Sequence, residues 1–288
     1  KIPKDTTSIS AIGIWEALPL IFPTIRIQRH LFKLIKKSPP DCLILIDYMG
    51  PNIKIGTKLK SSKTKIPIYY YIAPQEWAWR VGNNKTTDLI NFSNKIFAIF
   101  KQEANFYKKR GGNVLWVGHP MIDLTRKLPL RRDSRSMLKL RPNQRILLLM
   151  PASRPQEIRY ILPIFMKTAK KLQLRYPNLI VYIPSCRRAF DESFKKALKK
   201  YQVKGQVISQ KDNAKLKPYI YSVTELALCK SGTVNMELAL YDIPQIVGYR
   251  VSRFTAFIAK KILNFRIRFI SPVNLLVKRR LVPEFVQK

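Results

Sequence analysis

Short, nearly continuous apolar runs alternate along this chain with longer segments in which apolar positions are spaced among polar ones. In the first half, Cys42–Asp47, Pro67–Ile72, Lys95–Phe100 and Asn113–Val117 predict strands, with helices over Asn52–Ser62 and Gln102–Arg110 between them. The second half repeats the rhythm. Strands are expected at Arg145–Met150, Asn178–Ile183, Gln206–Ser209, Glu225–Cys229 and Pro244–Tyr249, and helices near Gln156–Tyr176, Phe190–Tyr201 and Thr233–Tyr241. Continuous apolar strands separated by helices belong to parallel sheets buried on both faces. The pattern therefore predicts an α/β chain of two doubly wound, Rossmann-like parallel-sheet domains. Between the halves, Thr125–Gln144 holds Pro129, Pro142 and the arginines Arg126, Arg131, Arg132, Arg135 and Arg141, with Arg145 beside it. Its weak apolar periodicity reads as a linker.

A length of 288 residues suits two domains, each able to bury its own core. Four Trp, 14 Phe and 13 Tyr within 46% hydrophobic residues exclude a disordered chain. The longest apolar stretch, Ala11–Ile25, is interrupted by Glu16, Pro19 and Pro23 and falls short of the ~20 residues of a spanning helix, so no transmembrane helix is expected. The residues from Lys1 onward lack the order of a signal peptide and read as the continuation of a missing N-terminus. Cys42, Cys186 and Cys229 are odd in number and far apart, which fits a reducing compartment, the cytoplasm, and no zinc site. Charge changes the picture most: 54 Lys and Arg against 17 Asp and Glu leave a formal +37 spread along the whole chain. Such a surface attracts anionic membranes, nucleic acid or phosphorylated ligands, and compositional drift accounts for it equally well.

Ligands of open parallel sheets bind beyond the carboxyl ends of the strands, so chemistry is sought in the loops that follow them. After Glu225–Cys229 comes Lys230-Ser231-Gly232-Thr233 and then a helix carrying Glu237. A small glycine-containing turn at a helix start offers free N–H groups to a diphosphate, and Glu237 could accept from ribose hydroxyls. A plain helix cap at Ser231 or Thr233 fits the spacing as well. After Arg145–Met150, Ser153 and Gln156 have capping-box spacing around Pro155, and Arg154 projects from the helix start where a guanidinium can neutralise phosphate; one arginine among so many is otherwise a solvated side chain. Asp47 ends a strand of the other domain, as a general base for a hydroxyl or an ordinary turn aspartate. Trp77 and Trp79, with Arg80, either anchor a loop or offer a platform to a sugar or acyl group.

In chain order, Gly13-Ile14-Trp15-Glu16-Ala17-Leu18, Ile46-Asp47, Trp77-Ala78-Trp79-Arg80, Val117-Gly118-His119-Pro120, Ser153-Arg154 with Glu157, Ser231-Gly232-Thr233 through Glu237-Leu238, Val247-Gly248-Tyr249-Arg250-Val251 and Asn274-Leu275-Leu276 resemble the lipid-A-disaccharide synthase family. These are inverting glycosyltransferases of the two-domain GT-B type, and the series covers nearly the whole chain. The resemblance implies transfer of diacylglucosamine from its UDP conjugate to a diacylglucosamine 1-phosphate acceptor, without cofactor or metal. It implies Asp47 as the catalytic carboxylate, and Ser153, Arg154, Ser231, Gly232, Thr233, Glu237 and Asn274 as donor-binding residues. Trp77, Trp79, Arg80 and His119 are implied on the acceptor side or rim, although a structural turn is sufficient reason for His119. The expected boundaries are an acceptor-side domain over 1–127 lacking its first strand and glycine-rich loop, a linker over 128–144, a UDP-sugar domain over 145–270, and a segment 271–288 leading back toward the first domain. Gly50 stands where members carry a second acidic residue, and Ala152 replaces a glycine.

The implied partners are the UDP-diacylglucosamine donor, the acylated glucosamine phosphate acceptor, an anionic membrane surface and a second copy of the chain, with no specific nucleic acid. The implied place is the cytoplasmic side of the inner membrane. A GT-B transferase with a different lipid acceptor fits the same donor residues. A nucleic-acid-binding protein suits the charge, but zinc-finger spacing, an RNP-type strand and a discrete basic helix are missing from the sequence. Over Val251–Phe269, apolar residues at helical spacing flanked by Arg253, Lys260, Lys261, Arg266 and Arg268 suit an interfacial helix or one packed on its sheet.

Overall fold

The computed structural model describes residues 21–62, 65–78, 84–252 and 268–287, in two units divided between Leu124 and Thr125. The first unit runs α1 (Ile21–Lys37), β1 (Leu43–Ile46), α2 (Met49–Ser61), β2 (Ile68–Tyr71), α3 (Asn84–Phe92), β3 (Lys95–Ala98), α4 (Lys101–Lys108), β4 (Val114–Trp116) and α5 (Pro120–Leu124). Its four strands are parallel and lie in chain order, β1-β2-β3-β4. Successive side chains of a strand point to opposite faces, so Ile68 and Tyr70 of β2 and Ile96 and Ala98 of β3 enter one core with Ile53, Leu59, Leu89 and Tyr107 from the helices. Gly56 of α2 belongs to that packing, because a Cβ there would stand 2.5 Å from the Phe92 ring.

The second unit runs α6 (Arg131–Met137), β5 (Arg145–Met150), α7 (Pro155–Tyr160), α8 (Leu162–Arg175), β6 (Leu179–Pro184), α9 (Arg188–Lys200), β7 (Gly205–Ile208), α10 (Gln210–Val223), β8 (Thr224–Lys230), α11 (Thr233–Leu240), β9 (Gln245–Tyr249), α12 (Pro272–Val277) and β10 (Glu284–Val286). All six strands are parallel, in the order β10-β9-β8-β5-β6-β7. In β5, Leu147 and Leu149 join the core with α8 and α9, while Ile146 and Leu148 join the core with α10 and α11. A strand buried on both sides is what its unbroken apolar run predicts. The chain builds outward from β5 to β7, then returns to the other side of β5 with β8, which makes β5/β8 the topological switch point of the sheet.

Several expectations change. The helix expected over Gln156–Tyr176 is two helices, because Pro163, at the start of α8, has no N–H for the carbonyl one turn back. The residue that opens α7 is Arg154, with Glu157 at the third helical position, instead of the Ser153–Gln156 pair; Pro155 takes the first position, where a missing N–H is harmless. Residues 128–144 are folded and not a linker. There α6 packs on α10, Leu128, Leu138 and Leu140 pack on the core, Arg135 donates to the carbonyls of Pro142 and Gln144, and Arg131 and Arg145 both pair with Glu225. Residues 271–288, expected to lead back toward the first domain, contribute α12 and the edge strand β10 to the second unit. The Gly13–Leu18 segment, Trp79, Arg80 and most of Val251–Phe269 lie outside the described residues. Among the described residues no helix is long and apolar enough to cross a membrane.

Candidate active site

At the switch point, β5 and β8 stay in register to Met150 and Cys229, so their following loops start side by side. Glu157, 3% exposed, accepts through one oxygen the N–H groups of Ser153 (2.5 Å) and Arg154 (2.9 Å) and the Ser153 hydroxyl (3.2 Å). Its other oxygen lies 3.2 Å from the Lys230 ammonium, at the end of β8, and 3.8 Å from the Arg154 guanidinium. One buried carboxylate thus gathers two cations from neighbouring loops. Gly232 has φ 152° and ψ −166°, a region open essentially to glycine alone. Lys230 Nζ lies 3.1 Å from where a Cβ of residue 232 would stand, so the ammonium rests against the turn. Asn235 fixes the turn, accepting the Gly232 N–H (3.0 Å) and donating to the Lys230 carbonyl (3.1 Å). Thr233 and Val234 occupy the first positions of α11, where N–H groups have no intrahelical acceptor. Free N–H groups, the positive helix end and two fixed cations together suit a diphosphate. Ser153, Arg154, Ser231, Gly232 and Thr233 therefore gather at one sheet edge.

Ser231 and Asn274 hold other positions than ligand contact alone would ask. The Ser231 hydroxyl donates to the Ile270 carbonyl at 2.6 Å. Glu284 in turn accepts the N–H groups of Ile270 (3.0 Å) and Ser271 (2.8 Å). Asn274, fully buried, donates to Val282 (2.8 Å) and Glu284 (2.7 Å) and accepts from Leu281 (2.7 Å) and Val282 (2.9 Å). Both its protons and both lone pairs are occupied, which corrects its expected place among donor contacts: it braces the strand that holds Ser231. Glu237 forms an ion pair with Lys217 of α10 and lies beside Tyr221, whose hydroxyl is pushed up by burial and then by Glu237.

In the first unit the chain leaves β1 through Asp47 (φ 47°) and Tyr48 (φ 43°), two successive left-handed residues that are not glycine. Each costs ~1–3 kcal/mol unless its surroundings enforce it. The Tyr70 hydroxyl (2.7 Å) and the Asn52 amide (2.8 Å) both donate to the Asp47 carbonyl, and the Asp47 N–H donates to Tyr71 (2.9 Å). Burial first and Asp47 second push the Tyr70 hydroxyl up, so it keeps the proton it donates. The backbone of Asp47 is clamped while the residue is exposed.

The loop after β2 hangs on Glu103 of α4, which is fully buried and accepts from the N–H groups of Ala73 (3.0 Å), Ile99 (3.1 Å) and Phe100 (3.3 Å) and from the Gln75 amide (3.3 Å). Burial pushes its carboxyl up to about 7, against the pull of those bonds. Gln75 accepts the Trp77 indole N–H at 2.5 Å, Trp77 packs edge-on to Phe100, and Phe100 lies 5.1 Å from the His119 ring. His119 Nδ1 accepts the Met121 N–H (3.1 Å), after Gly118 at φ 85°, and burial lowers its pKa. Trp77 and His119 thus share one aromatic row. Among the described residues no group of three or more His, Cys, Asp or Glu could hold a metal.

Residues 3–288 match the family described as lipid-A-disaccharide synthetase. The lipid-A-disaccharide synthase of Prochlorococcus marinus (strain MIT 9313) is 52% identical over 283 residues, 98% of this chain and 72% of its own length. That of Gloeothece citriformis (strain PCC 7424) is 40% identical, over 98% and 72%. Among solved structures, the S. aureus MnaA structure with UDP overlaps 89% of this chain and 71% of its own at a TM-score of 0.59 and 14% identity, a likeness of fold alone.

Proposed function

The chain belongs to the lipid-A-disaccharide synthetase family, and from that premise we propose how its residues divide the reaction. The enzyme is a GT-B glycosyltransferase that moves diacylglucosamine from UDP to an acylated glucosamine phosphate acceptor and releases UDP. The donor's diphosphate lies at the turn 230–233, with Lys230 and Arg154 offsetting its charge and Glu237 taking the ribose hydroxyls. Asp47 accepts the proton of the acceptor hydroxyl, whose oxygen bonds to the donor's anomeric carbon as the bond to UDP breaks. Negative charge then grows on the departing phosphate, where cations already held in place stabilise it without reorganising. Trp77 and His119 edge the acceptor side.

The observation that carries this reading is the pair of cations gathered on Glu157 beside a glycine-only turn at the switch point. Asp47→Ala should cut transfer by ~10²–10⁴-fold and leave UDP affinity unchanged by titration calorimetry, since a general base does not hold the donor. Equal loss of UDP affinity would make Asp47 a donor residue.

Association with the cytoplasmic face of an anionic membrane is supported by the formal charge of +37 and by acylated substrates. Sedimentation with anionic vesicles but not with neutral ones is the expected result; equal behaviour with both removes the membrane from the account. A homodimer rests on the family resemblance alone, and light scattering at a monomer's mass would dismiss it.

A further inference from the structure

Next to the turn, on the α8 face of the second sheet, lies a cavity of about 360 Å³. Leu228 of β8, Ile246 and Gly248 of β9 and Phe285 of β10 form its floor, and Ile161, Ile164, Phe165 and Thr168 its wall. These strand positions share one face through their parallel pairing, Leu228 with Ile246 and Gly248 with Phe285. Gly248 is what lets the wall close onto the floor: a Cβ there would stand 2.6 Å from the Phe165 ring. The lining is apolar apart from Thr168, whose hydroxyl donates to the Ile164 carbonyl (3.0 Å), and Arg250, which with Tyr249 marks the end nearest the carboxyl edge.

That end adjoins the anion turn. Gly248 is the parallel partner of Lys230, and Ile161 follows directly on α7, the helix that carries Glu157. Tyr249 is influenced by the charges of Glu157 and Arg154. The volume lies within the roughly 300–1,000 Å³ usual for ligand sites. An enclosed apolar slot that starts beside a diphosphate site fits a ligand whose phosphate end is charged and whose far end is hydrocarbon.

We infer that this cavity holds an acyl chain of the donor and sets how long that chain can be. The inference rests on placing the diphosphate at the turn 230–233. The sugar then lies at the carboxyl edge of β8 and β9, and a chain from it passes Tyr249 and Arg250 and runs along α8 between Ile164 and Ile246.

The test is titration calorimetry of the whole chain with UDP, and with UDP-diacylglucosamines bearing butyryl or myristoyl chains, below the concentrations at which they form micelles. The myristoyl donor should bind about tenfold or more tightly than the butyryl one, because each buried methylene adds to affinity. Thr168→Phe, which fills the slot, and Ile164→Ser, which puts a hydroxyl on its wall without adding bulk, should each remove most of that difference and leave UDP affinity unchanged. Should Thr168→Phe fail to fold, Ile164→Ser alone decides. A chain-length preference that survives either folded variant, or one absent from the wild type, overturns the cavity assignment. Failure of UDP itself to bind the wild type would instead overturn the diphosphate site.

Discussion

Each unit places a buried glutamate at the third position of a helix that follows a strand, Glu103 on α4 and Glu157 on α7. Both accept the N–H of the residue that opens the helix. Around Glu103 the neighbouring strand β2 supplies Ala73, a backbone donor, and the carboxyl stitches a loop together. Around Glu157 the neighbouring strand β8 supplies Lys230, and the same device becomes a holder of cations. One local motif therefore serves architecture in one sheet and ligand electrostatics in the other, decided by the residue on which the adjacent strand ends.

The largest effect expected from breaking this contrast is at Glu157. Glu157→Ala leaves Lys230 without its counter-charge in a nearly buried place and should destabilise the second unit by about 3 kcal/mol, the cost of splitting a buried pair. It should also weaken UDP binding about tenfold as both cations lose their position, a charge-assisted bond being worth roughly 1.5–3 kcal/mol. Unchanged or tighter UDP binding would show that the carboxylate does not position them. Glu103→Gln should cost less, about 1 kcal/mol, with no change in UDP affinity. Its signature is pH. Because burial raises the folded carboxyl to about 7, the protection it gives is complete below the ordinary glutamate value of 4.5 and is lost as pH climbs to about 7. All four tryptophans precede residue 125, so tryptophan fluorescence during urea unfolding follows the first unit. Wild-type stability should fall between pH 4.5 and 7, and Glu103→Gln should flatten the curve; parallel curves would refute the assignment.

Strand positions were legible because each is a short apolar run: β5 matches its expected bounds and the others fall within a residue or two. The helix α10 was not legible, since Pro218 and a lysine-rich surface mask its period. The arginines of 128–144 gave the appearance of solvated chain, because their partner Glu225 lies more than eighty residues from the first of them. In the site, the turn 230–233 and Asp47 could be picked out as strand ends next to small or acidic residues. The left-handed backbone of Asp47 and Tyr48 could not, since neither is a residue type that advertises it. Lys230 sat at an expected strand end but looked like one lysine among many until Glu157 appeared beside it. Glu284 gave no signal, because its bonds to Ile270 and Ser271 cross 14 and 13 residues of chain.

The bracing of Ser231 by Glu284 also imposes an order in time. In the first sheet, strands pair with the neighbour made just before them, so each can settle as it is synthesised. In the second, the turn that faces the diphosphate is made before Ile270, its anchor, and before Glu284, which holds that anchor. At ~5–20 residues per second, the turn waits several seconds on the ribosome before its brace exists. Donor recognition is thus among the last properties the nascent chain acquires, well after its central strand β5 has been made.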